Sequence, residues 1–95
     1  MTAYIIARID VTDPEKYVGY QERTPAAVAK FGGRFIVRGG NSVTLEGPEE
    51  ARRVVVIEFP SLDRAQAFYD SEDYQSAKKF RDGAAEAQFL AIEGV

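Results

Sequence analysis

Residues 3–11, AYIIARIDV, read as a strand with one face wholly apolar and the other mixed. Ala3, Ile5, Ala7, Ile9 and Val11 fall on one face of a strand, and Tyr4, Ile6, Arg8 and Asp10 on the other. The period then changes. Tyr17, Tyr20, Thr24, Ala27, Val28 and Phe31 recur every three or four positions, which predicts a helix running to about Phe31. Asp13 can cap its first turn, Pro14 suits its first position, and Gly32-Gly33 closes it. Pro25 removes one hydrogen bond inside this helix and should bend it near Gln21 to Thr24.

Residues 34–38, RFIVR, predict a second strand, followed by Gly39-Gly40-Asn41 and SVTLE. One long strand bulged at the glycines and a tight hairpin both fit, the long strand slightly better. Residues 53–59, RVVVIEF, are the strongest strand in the chain. Ser61 then caps a helix carrying Leu62, Ala65, Phe68 and Tyr69. Ser71 restarts one carrying Tyr74, Ala77 and Phe80, and residues 88–93, QFLAIE, form a last strand. The order β-α-β-β-α-β, with the second helical region split, predicts a ferredoxin-like α+β sandwich. Its sheet is antiparallel, with helices on one face. A single domain over 1–95 is expected.

Val54 to Ile57 place apolar side chains on both faces of one strand, while helices cover only one. The uncovered face also carries Tyr4 and Ile6. Burying three such side chains against a partner is worth about 1.5–3 kcal/mol each before association costs. A homodimer through the sheet face is therefore expected.

Composition narrows the chemistry. The net charge is −3 and the basic residues are scattered, so neither a nucleic acid nor a membrane surface is an expected partner. There is no cysteine and no histidine. Disulfides, thiolate metal sites, serine triads and His-ligated haem are excluded, and no cofactor is expected. No apolar run approaches the roughly 18 residues of a membrane span, and no signal peptide is evident, so a cytoplasmic location is expected.

The residues left to carry function are arginines and tyrosines. Arg34 and Arg38 share strand parity with Ile36, and Arg8 shares a face with Tyr4 and Ile6. If these faces coincide, the guanidinium groups converge on a half-buried region suited to a carboxylate or enolate. Ion pairing with Asp10 or Glu58 is the structural alternative. Tyr69, beside the helix break at Ser71, can donate to a developing oxyanion. Gly39 and Gly40 beside Arg38 leave room for a ligand, but lack the Gly-Lys-Ser/Thr ending of a phosphate loop.

Several short runs together resemble a known family over essentially the whole chain. They are Tyr17 and Tyr20 with Arg23, Gly32-Gly33-Arg34, Arg38-Gly39-Gly40, Glu46-Gly47, Glu58-Phe59-Pro60-Ser61, Phe68-Tyr69, Ser71 with Tyr74, and Glu93-Gly94-Val95. The chain resembles short bacterial proteins known only as a domain of unknown function, within the dimeric α+β-barrel superfamily. Phe68 departs from the Trp expected in many of them. The resemblance implies two protomers packed sheet against sheet. It brings no function with it, although the wider superfamily includes muconolactone isomerase-like enzymes, cofactor-free monooxygenases and haem enzymes. The expectation is a small-molecule-binding domain acting, without cofactor, on a small aromatic or enolisable carboxylate. The alternative is a non-catalytic ligand sensor or a dimeric interaction module.

Overall fold

The computed structural model describes residues Met1–Val95. Its elements are β1 (Ala3–Val11), α1 (Pro14–Lys30), β2 (Arg34–Arg38), β3 (Arg53–Phe59), α2 (Leu62–Asp70), α3 (Glu72–Lys78), a 3₁₀ turn (Lys79–Arg81) and β4 (Ala85–Glu93). The strands form one antiparallel sheet in the order β2-β3-β1-β4. With the helices on one face, this is the ferredoxin-like topology.

Each helix starts where a short polar side chain can accept from a free N–H. Asp13 accepts from the Lys16 amide at 3.2 Å, Ser61 from Arg64 at 3.1 Å, and Ser71 from Tyr74 at 3.1 Å. Ser71 also ends α2, donating to the Phe68 carbonyl at 2.7 Å, so one hydroxyl splits the second helical region. α1 continues through Pro25 to Lys30.

The alternation read in β1 sets the two sheet faces. Ala3, Ile5, Ala7 and Ile9 lie buried under the helices with Val55, Ile57 and Phe59. Phe68 and Tyr74, with ring centroids 4.8 Å apart, fill the space between the layers, and Phe59 stacks on Phe68 at 5.1 Å. The outer face is apolar as well. Val37, Val56, Ile6 and Leu90 form one cross-strand row over all four strands. Val37 and Leu90 stay 41% and 47% exposed there, because no helix covers them.

Four details depart from the sequence reading. First, β2 has a register shift between Phe35 and Val37, with Ile36 the extra residue. Arg34 pairs with Glu58 on the outer face and Arg38 with Val55 on the helix face. The shared parity of Arg34, Ile36 and Arg38 is thus broken by one bulged residue. Second, residues 42–46 form neither the far half of a long strand nor a hairpin arm. β2 stops at Arg38, Gly39 turns the chain with φ 70°, and residues 39–52 carry no helix or strand. Third, Phe80 is exposed rather than on the buried helical face. The switch to a 3₁₀ turn rotates the chain, so that Arg81 is buried and Phe80 packs under Arg23 outside. Fourth, β4 begins at Ala85, not at 88.

Candidate functional site

The arginines expected to converge are separated by the sheet. Arg8 and Arg34 are both on the outer face, four register positions apart along β1 and β3, and each is paired with a carboxylate, Arg8 sharing its own with Arg52. Arg8 Nε lies 3.0 Å from Glu50, and Arg34 Nε donates to Glu58 at 3.0 Å. Arg38 is on the helix face. It donates from Nη2 to the Gln21 carbonyl at 3.2 Å and lies over the Phe35 ring. Gly39 and Gly40 differ in role. The Arg53 guanidinium occupies the place a Cβ would take at Gly39, whereas Gly40 has nothing near it. Arg53 donates to the Arg38 carbonyl at 3.4 Å, and its buried Nε has no partner. Beside it, Arg38, Arg53, Tyr17 and Thr24 border a cavity of about 20 Å³, room for about one water.

A larger space opens on the other side of Phe89. There the helix layer falls short of β4, and the inward-facing positions flanking Phe89 are the small Ala87 and Ala91. The result is an open cleft of about 470 Å³ between α2, the 3₁₀ turn and β4. That volume is within the usual range for small-molecule sites. Tyr69 lines it with Gln66, Asp70, Lys78 and Arg81. Lys78 Nζ donates to the Tyr69 hydroxyl at 3.1 Å.

Arg81 is the unusual member. It is 8% exposed, yet none of the four ion pairs in the chain involves it. Its Nη1 makes a long contact of 3.4 Å to the Tyr74 hydroxyl, and its guanidinium lies 5.0 Å from the Phe89 ring centroid and 5.3 Å from that of Tyr20. Aromatic faces and one hydroxyl offset only part of the cost of burying a cation. Behind it the Tyr20 and Tyr74 hydroxyls share a buried hydrogen bond of 2.9 Å. Burial pushes the hydroxyl pKa values of Tyr17, Tyr20 and Tyr74 above 10, while Arg81 pulls in the opposite direction on each.

Sequence reasoning found Tyr69 but missed Lys78 and Arg81. The signal was present: Tyr74, Lys78 and Arg81 stand at i, i+4 and i+7, which puts an arginine on the face that Tyr74 buries. No group of three or more acidic, Cys or His residues is placed to hold a metal ion, and no helix is long and apolar enough to cross a membrane.

The fold recurs in solved proteins of low sequence similarity. A protein of unknown function from Rhodopseudomonas palustris superimposes with a TM-score of 0.78 at 18% identity, over 99% of this chain and 82% of that one. A dimeric ferredoxin-like protein of unknown function from Jannaschia gives 0.73 at 11% identity, over 99% and 100% of the two chains. SnoaB, a cofactor-independent oxygenase from Streptomyces nogalater, gives 0.71 at 12% identity, over 99% and 93%. These likenesses show the fold alone. No curated protein matches the chain in sequence. The family model that does match spans residues 2–95, and the chain accordingly belongs to DUF1330, a domain of unknown function.

Proposed function

We propose that this protein binds a small aromatic or enolisable carboxylate in the cleft beside β4 and acts on it without a cofactor. The carrying observation is Arg81, a buried guanidinium with no carboxylate of its own on the wall of an open cleft. A ligand carboxylate would supply the missing counter-charge in bidentate fashion, with Lys78 as a second cation. The ring of the ligand would lie against Phe89 and Tyr69. Asp70 is the one carboxylate among the lining residues, and in this reading it takes the α-proton. In the same reading the Tyr69 hydroxyl donates to the enolate oxygen that results. SnoaB shows that this fold can support cofactor-independent chemistry in a relative. The residues singled out from the sequence divide accordingly. Tyr69 belongs to the proposed site, whereas Arg8, Arg34 and Arg38 already have partners within the chain.

The proposal includes a homodimer formed through the outer sheet face. The row Val37, Val56, Ile6 and Leu90 supports it, as does the dimeric state described for ferredoxin-like relatives from Bacteroides fragilis and Jannaschia.

Titration of the amide NMR spectrum with benzoate, phenylpyruvate and neutral benzamide tests the binding. The acids should shift resonances of Gln66, Tyr69, Lys78 and Phe89, and the amide should not. Arg81→Gln should weaken binding about ten- to a hundred-fold, as loss of a charge-assisted pair does. Equal response to the amide, or shifts elsewhere only, defeats the site. Exchange of the phenylpyruvate α-hydrogens in deuterated water separates an enzyme from a sensor, which would bind without exchange.

A further inference from the structure

The segment 39–52 is long for a connection without secondary structure, and such segments usually have work to do. It carries Val43 and Leu45, which are 81% and 93% exposed; apart from Val95 no large apolar residue is more so. They alternate with Ser42, Thr44 and Glu46, a strand-like pattern with one apolar face. Nothing in this chain receives that face. The segment is nonetheless tied back at its middle and at its return to β3. Thr44 Oγ1 accepts from the Glu50 amide at 2.9 Å, Arg52 Nε donates to Glu50 at 2.9 Å, and Arg8 reaches Glu50 from the outer sheet face at 3.0 Å. The segment is therefore anchored on the face that carries the apolar row Val37, Val56, Ile6 and Leu90.

We infer that residues 42–46 form an arm that crosses to a second copy of this chain and buries Val43 and Leu45 against that copy's outer sheet face. The inference rests on the homodimer reading above. A second copy is the fitting occupant because the same face presents both the arm and an unfilled apolar surface. A two-fold axis then lets each copy serve the other, as an isologous interface requires. Little reach is needed: Thr44 is held to Glu50, which Arg8 holds at the outer face, and Val43 and Leu45 flank that tether. The arm also gives the strand pattern of SVTLE a purpose that no intrachain pairing supplies.

The chain has no cysteine, so Leu45→Cys gives a single labelling site for a nitroxide. The label should be immobilised at concentrations where light scattering reports a dimer, and become mobile on dilution to monomer. Val43→Ser with Leu45→Ser should raise the dimer dissociation constant about ten-fold or more, by removing two buried side chains, while the circular dichroism of the monomer stays unchanged. A label that stays mobile in a proven dimer overturns the arm and leaves the dimer standing, whatever the serine variant does. A protein that remains monomeric at every concentration removes the second copy and overturns both.

Discussion

Arg38 donates to the main-chain carbonyl of Gln21 at 3.2 Å, and that is the carbonyl whose helical partner is missing. In α1 the Gln21 oxygen would accept from the amide four residues on, but that residue is Pro25, which has none. The guanidinium fills the vacancy, and α1 continues to Lys30. Arg38→Ala should therefore cost about 1 kcal/mol by urea denaturation, the usual worth of one hydrogen bond. The same change in a Pro25→Ala background should cost much less, because the helix then satisfies Gln21 itself. Equal costs in the two backgrounds would show that Arg38 acts elsewhere.

The Tyr20–Tyr74 pair joins α1 to α3 through hydroxyls that burial holds in the protonated form. Their folded pKa values stand above the ordinary value of 10, so the fold binds protons more tightly than the unfolded chain does. That contribution is complete below pH 10 and is lost as the pH rises toward the folded values. Stability should fall above about pH 10, with tyrosinate absorbance from the buried pair appearing only as the protein unfolds. Tyr20→Phe should flatten the fall. Tyrosinate at Tyr20 or Tyr74 in the fully folded protein near pH 10, read as the difference between the protein and its Tyr20→Phe variant, would contradict the buried pairing.

The register of β3 separates two adjacent valines. Val55 is 6% exposed under the helices, opposite Ala7, while Val56 lies opposite Ile6 on the outer face. Val55→Asp places an unpaired charge in the core and should unfold the protein or cost about 3 kcal/mol or more. Val56→Asp should leave the monomer folded and abolish the dimer, which circular dichroism and light scattering read separately. A dimer that survives Val56→Asp would place the interface elsewhere.

The fold was legible in this sequence because β1 and α1 state their buried faces by periodicity, β3 announces itself by a continuous apolar run, and Asp13, Ser61 and Ser71 mark the helix starts with side chains that do cap them. The site was less legible for two local reasons. One extra residue at Ile36 inverts the face of everything after it, and RFIVR carries no glycine or proline to announce the bulge. Likewise the passage from α3 into a 3₁₀ turn exchanges Phe80 for Arg81 at the buried position, against the hydrophobic order of the two side chains. SVTLE shows a different limit. Its alternation is that of a strand, but a strand needs a neighbour, and this chain offers it none.

Arg81 decides between a binding site and a structural cation. A buried charge kept for stability is normally met by a carboxylate, and losing it leaves that carboxylate stranded at a cost of about 3–5 kcal/mol. Arg81 has no such partner to strand. Replacing it with Met keeps an unbranched apolar side chain beside Phe89, exchanges the guanidinium–ring contact for a thioether, removes a desolvated charge, and leaves the Tyr20–Tyr74 hydrogen bond in place. Arg81→Met should therefore be as stable as the unaltered protein or more so, within about 1 kcal/mol on the low side to allow for the long Tyr74 contact. Its affinity for aromatic carboxylates should fall together with that of Arg81→Gln. Melting temperature and carboxylate titration on the same variant give the two readings. A loss of more than about 2 kcal/mol, beyond what one weak hydrogen bond supplies, would make Arg81 a structural residue and take from the cleft the observation on which the binding proposal stands.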